Sequence, residues 1–422
     1  MPFDQQFLAL PNELQIQILA SLPLRDILNL RTTSKSWHAL ITVHEAPIVR
    51  HHLDRHVPAY ANRLYPVEDP SKTSLHHLCG VWHRLHVAAK LSYLICEWIT
   101  KEIFLRTTEA QRLEFAPQKE RMRRRLIPLV FTVFHFFEKY RELHLEHIRD
   151  HDGHGLHEEP YTLNPIEAQI MNTYDDQTLL RVHEAFPLVI ASFCRRLRPP
   201  TYVGRVERSL RGYLREKPPD EVHVAILCIG GMRQVEKIWE IKGYNQRRGA
   251  VDSWYSSITK EPAESGARSK RGLLGLGRKK SSLAMRETSR ATSNDTTASQ
   301  HRSSLRPEDN GHGRRVSDLV FNTSLAAGMP MSPLSHEQLQ RLICDLPVLQ
   351  QIWLATAEAI ILDRRIVERA QDIKRNQQVM MDLIREDGID EEDEWWYGRG
   401  APDSVRPPQE AIEDDPIESV AA

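Results

Sequence analysis

Apolar residues in this chain recur three and four positions apart over most of its length, and the strict alternation that a half-buried strand requires is nearly absent. That period points to one fold class, all-α. From Leu75 to Leu105 it runs through Leu78, Trp82, Leu85, Ala89 and Tyr93, then Leu94, Trp98 and Phe104. Pro117 to Arg149 reads as one long helix, basic at its start (Arg121, Arg123, Arg124, Arg125) and apolar in its middle. Pro128 should kink or split it, because proline supplies no helix donor. Further helices are expected over Pro165 to Arg181, Glu184 to Arg198, Thr201 to Arg215 and Asp220 to Tyr244, with Pro199-Pro200 and Pro218-Pro219 as stops.

Composition changes twice. From about Ser256 to Ser317 the chain is rich in Ser, Thr, Arg and Gly and almost free of aromatics, so it should be disordered: too little apolar surface offsets its ordering entropy. Helical pattern resumes at Ser335-His336-Glu337-Gln338, which resembles a capping box. It runs through Leu339, Leu342, Leu346, Ile352, Trp353, Ile360 and Ile361 toward Ile384, with a bend expected at Pro347, and should pack back on the upstream helices. The last 37 residues hold 13 Asp and Glu against 2 Arg and read as a solvated tail. Within that tail, Trp395-Trp396-Tyr397 must bury somewhere or bind something.

The remaining bulk features exclude classes. Lys+Arg 56 against Asp+Glu 57 gives no global field to draw the chain to nucleic acid or a membrane surface. Five scattered cysteines with no CxxC pair read as reduced thiols in the cytoplasm and/or nucleus. The first residues do not read as a secretory signal, and the most apolar run, Leu126 to Phe137, is too short to span a bilayer. No repeat of solenoid or propeller type is present.

The most informative stretch is Leu10-Pro11-Asn12-Glu13-Leu14, through Ile18-Leu19 and Leu22-Pro23-Leu24, to Ile27-Leu28 and Trp37. Asn12 is placed to cap a helix, with Gln15 returning the bond. Leu14, Ile18, Leu19 and Leu22 then form a broad stripe. Pro23 ends that helix and opens a second, and Ser34 caps a third with Trp37, Leu40 and Ile41 on one side. Three helices in about 40 residues lie near the lower limit for independent folding. They also carry more large apolar side chains than so small a bundle can cover. The surplus must meet downstream helices or another protein.

This order of residues resembles the F-box: Leu-Pro-x-Glu-Leu, an Ile-Leu pair, a Leu-x-Leu junction, a second Ile-Leu pair and a Ser-x-x-Trp start to the third helix. The resemblance covers about a tenth of the chain and ends near Ala46. It implies a chain that adds no chemistry of its own. An F-box packs on the C-terminal helices of a Skp-type adaptor, held in turn by a cullin scaffold with a RING subunit. Such a receptor raises the effective concentration of a protein substrate's lysines beside a charged conjugating enzyme. Carried over position by position, Leu10, Pro11, Leu14, Ile18, Leu22, Leu24, Ile27, Leu28 and Trp37 are the candidates for that interface or its support. The bland alternative for each is internal bundle core. Two other readings stand beside it: an F-box protein acting with the adaptor alone as a structural or trafficking component, and a helical scaffold with no adaptor binding.

Other motifs carry less. His144, His147, His151, His154 and His157 could chelate a metal, but Gly153 and Gly155 should break their helix, and a polar His-rich loop is the expectation. His76, His77, His83 and His86 read as half-buried polar residues on a helix. There is no Gly-rich phosphate loop, no Gly-x-Ser-x-Gly and no His-Glu-x-x-His, and Cys228 reads as core. No catalytic residue, cofactor or metal is therefore expected. Arg268-Ser269-Lys270-Arg271 and Arg278-Lys279-Lys280 suit nuclear import or a weak anionic contact, and Lys279-Lys280-Ser281 and Arg314-Arg315-Val316-Ser317 resemble basophilic kinase sites. The expected organisation is an F-box at 1–48, a helical substrate-receptor domain at 49–255 and a disordered linker at 256–334. A helical segment packed on the receptor domain at 335–385 and an acidic, largely disordered tail at 386–422 complete it.

Overall fold

A computed structural model describes residues 6–7, 9–67, 73–151, 163–199, 217–259, 331 and 333–398. Nearly all the expected linker, its basic and kinase motifs, the helix expected over Thr201 to Arg215, His154 and His157, and the chain beyond residue 398 lie outside the described residues. The described chain belongs to one unit, Met1–Lys260 with Arg314–Ala422. Among the described residues every regular element is helical.

The opening helices are α1 (Asn12–Ala20), α2 (Leu24–Thr33), α3 (Lys35–Val43), α4 (Glu45–His56) and the short α5 (Ala59–Leu64). Two long helices organise the core: α6 (Leu75–Glu102) and α8 (Ala116–Asp150), joined by a short α7 (Glu109–Glu114). They pack along each other because both carry an apolar stripe at helical spacing. The middle of α8, Leu126 to Phe137, is buried throughout. Its Glu138 accepts Arg84 of α6 in two hydrogen bonds of 2.8 and 2.6 Å, and the Tyr65 hydroxyl donates to the same carboxylate at 2.7 Å.

Pro128 does not split α8 into two helices; the helix runs unbroken past it. Having no N–H, Pro128 leaves the carbonyl of Arg124, four residues back, without its helix donor. The Tyr397 hydroxyl donates to that carbonyl at 2.8 Å. A long-range partner thus replaces the lost bond.

Around this pair lie α9 (Pro165–Met171) and α10 (Asp176–Arg196). The break between them falls at residues 172–175, not near Arg181, because Asp175 caps α10 by accepting from the Thr178 N–H at 2.8 Å. The expected single helix from Asp220 to Tyr244 is three pieces: α11 (Asp220–Ala225), a π-helical turn (Ile226–Gly230) and α12 (Gly231–Glu240). The turn's Ile229 carbonyl accepts the buried Arg141 guanidinium at 2.9 Å. Next comes α13 (Tyr244–Thr259), which runs past residue 255 and into the stretch expected to be disordered.

The segment from Ser335 onward does return to the core, and Ser335 and Gln338 form the expected capping box. It breaks into α14 (His336–Cys344), α15 (Leu354–Asp363) and α16 (Gln377–Ile384) rather than bending once at Pro347. Trp353, held at φ +70°, starts α15. Its N–H donates to the buried Glu167 carboxylate at 3.0 Å, and its ring stacks on Phe186 at 5.3 Å. The head of the acidic tail is also ordered: α17 (Ile389–Tyr397) packs on α5 with Trp396 and Tyr397 buried.

Candidate docking site

The site begins at the turn before α1. The expected Asn12 cap does not form: Pro11, extended at φ −53° and ψ 144°, is the N-cap residue and no side chain caps the helix. Gln15 is instead turned inward and its Nε2 donates to the Leu10 carbonyl at 2.8 Å, tying the Leu10-Pro11 turn to the helix. Pro23 likewise opens α2 with no side-chain cap. Ser34 caps α3 as expected, accepting from the Trp37 N–H at 3.3 Å.

The nine candidate residues divide by exposure. Leu24, Ile27, Leu28 and Trp37 are buried in the core, Trp37 against Phe7 with ring centroids 4.8 Å apart. Leu10 and Leu22 are half-buried and pack on that core. Pro11, Leu14 and Ile18 are exposed, the last two at 46% and 43%. Four apart on a helix, Leu14 and Ile18 lie on one face. The opposite face of α1 buries Gln15, Leu19 and Ala20.

Part of the apolar surplus is therefore absorbed within the chain. The absorbing element is α4, which begins where the sequence motif ends and packs against α1 and α6 through Ile48, Val49 and Leu53. Sequence reading missed it because nothing in the three-helix pattern signals a fourth member. It also missed Val43, exposed at 75% at the end of α3.

In α4, His52 is buried close to the Leu22 backbone. Burial, and then His56 and His51, push its pKa down to about 4. It is a neutral, structural histidine near neutral pH.

Elsewhere the titratable clusters are structural. His144 is buried against Asp345 at 2.6 Å, tying α8 to the end of α14, while His147 and His151 stack at 4.0 Å as α8 ends. His83 is buried, not half-buried as expected, and burial and then Arg233 hold its pKa well below the usual histidine value. Among the described residues, no group of three or more His, Cys, Asp or Glu is placed to hold a metal ion. Burial raises the Cys228 thiol pKa, and the residue is core. No described helix is long and apolar enough to cross a membrane.

The fold thus offers one short helix with a buried face and an outward apolar face, entered through a proline turn that Gln15 holds in place. A family model described as F-box domain matches residues 7–45, which span α1, α2 and α3. No curated protein and no solved structure matches the chain.

Proposed function

From a chain that belongs to the F-box proteins, with its F-box in the first three helices, we propose a substrate-receptor subunit of an SCF-type cullin-RING ubiquitin ligase. The exposed apolar face of α1 carries the reading. Leu14 and Ile18 stand in solvent beside a well-packed core, and covering such a pair contributes about 1–2 kcal/mol for each side chain. Pro11 and the half-buried Leu10 and Leu22 border that face. Leu24, Ile27, Leu28 and Trp37 act from behind, holding the helices at the angle the adaptor meets. They are support rather than contact.

In this role the chain performs no bond-making step. Its F-box holds the Skp-type adaptor, and through it the cullin and RING subunits. The helical domain holds a protein substrate. Catalysis by proximity requires only that both be held at once. A site of action in the cytoplasm and/or nucleus belongs to the same reading.

Affinity purification of the full chain from cells, with and without proteasome inhibition, tests it. Recovery of adaptor and cullin, with further proteins that accumulate under inhibition, is the expected result. Adaptor without cullin would replace the ligase reading with a role beside the adaptor alone. Loss of both would remove the docking reading itself.

A further inference from the structure

The C-terminal acidic segment occupies a groove that is built for it in charge and in hydrogen bonding. Arg125 of α8 donates to Glu392 at 2.6 Å and to the Asp382 and Arg385 carbonyls at 2.7 and 2.6 Å. Arg181 of α10 reaches the other oxygen of Glu392 at 2.6 Å, and Arg124 pairs with Asp393. One turn later, Tyr397 fills the carbonyl that Pro128 leaves without a donor. Trp395 lies under the Arg63 guanidinium at 4.6 Å.

Residues 390–394 are Asp-Glu-Glu-Asp-Glu, and like charges at helical spacing oppose a free helix. The arginines, together with the burial of Trp396 and Tyr397, therefore supply the order of α17. Two glycines in left-handed backbone flank it, Gly388 at φ +74° and Gly398 at φ +103°. A partly open pocket of about 30 Å3 lies between Arg125, Arg181, Glu184, Glu392 and Trp396.

We propose that this groove is a recognition site for an acidic segment ending in tyrosine on a partner protein, and that α17 is its resident occupant. The arginines read two adjacent carboxylates. The Arg124 carbonyl reads a tyrosine hydroxyl four residues on, a demand that phenylalanine does not meet. The other wall of the groove, α5, is joined through α4 to the F-box helices, so a partner held here would be tethered to the F-box through packed helices. This deepens the receptor reading and rests on it for the partner being a substrate.

The test uses three fluorescein-labelled peptides: residues 386–398, an alanine-rich peptide keeping only Glu392, Asp393, Trp396 and Tyr397, and the same peptide with Phe for the tyrosine. Each is titrated by anisotropy into the full chain, into a chain ending at Asp387, and into the full-length Glu392→Gln/Asp393→Asn/Tyr397→Phe variant. The last keeps the test open if the shortened chain does not fold. The alanine-rich peptide should bind both opened chains at least tenfold more tightly than the full chain. Binding should weaken with salt and with Arg125→Ala or Arg181→Ala, and the Phe peptide should lose roughly three- to tenfold. Equal affinity for full and opened chains, indifference to the arginines, or binding of the native segment alone would overturn the proposal and leave α17 a structural latch. Adaptor binding is measured on the same samples. If it persists while the peptides fail, only the groove is rejected.

Discussion

Ile18 and Leu19 are neighbours on α1 and face opposite worlds: Leu19 is sealed at 1% exposure while Ile18 stands at 43%. That division makes a stability measurement informative. Leu19→Ala should cost about 2–5 kcal/mol, because it removes buried methyl groups and leaves a cavity. Ile18→Ala should stay within about 0.5 kcal/mol, as exposed substitutions do. Urea denaturation of both variants checks this, and similar losses would mean that Ile18 is covered in solution by the chain itself.

Arg84, Glu138 and Tyr65 make a partly buried triad at the α6–α8 contact, with the Arg84 guanidinium 4.0 Å from the Tyr65 ring centre. Removing Glu138 leaves the Arg84 guanidinium and the Tyr65 hydroxyl desolvated and without their shared carboxylate. Glu138→Ala should therefore destabilise the chain by about 3–5 kcal/mol. Tyr65→Phe loses one hydrogen bond and should cost closer to 1–2 kcal/mol. Thermal melts of the two variants give the comparison.

Three buried histidines set a pH dependence. Burial is the first cause that lowers His52, His135 and His183 to about 4; nearby positive groups add to it at His52 and His183, while at His135 the Glu138 carboxylate opposes it in part. Each folded value lies below the unfolded one, so between about pH 6.5 and pH 4 the unfolded chain binds more protons. Stability is thus level above about pH 6.5 and falls as the pH drops toward 4. The urea midpoint should be lower at pH 5.0 than at pH 7.5, and His52→Gln should reduce the difference. A midpoint that rises on acidification would contradict this placement of the three rings.

The cysteines give a chemical check. Burial pushes Cys79 up to about 12 and Cys194 up to about 11, and it also raises Cys96 and Cys228. Cys344 is exposed. A thiol reagent at neutral pH should label Cys344 first and the half-buried Cys194 more slowly, with Cys79, Cys96 and Cys228 reacting only on unfolding. Peptide mapping of the labelled chain reads the order.

The helical class was legible because periodicity is a local signal, and so were the caps at Ser34 and Ser335. Asn12 shows the limit of such signals. It has the same spacing to Gln15 as Ser335 has to Gln338, yet Pro11 takes the cap position and Gln15 turns inward to Leu10. The breaks within the segment after Ser335 were not legible, because Trp353, Arg365 and Asn376 adopt positive φ without being glycine. At Trp353 a distant carboxylate, Glu167, grips the N–H. Pro128 failed as a break for a related reason, since its missing bond is replaced from residue 397. At the docking site the residue types were legible but their division was not. Which side of α1 faces outward depends on α4, an element outside the motif.

Calorimetric titration of the purified full chain with a Skp-type adaptor measures docking on the outward face of α1. Leu14→Ala/Ile18→Asp should weaken binding by about 2 kcal/mol or more, near thirtyfold in Kd, with the melting temperature little changed. Unchanged affinity in a folded double variant would contradict docking on that face.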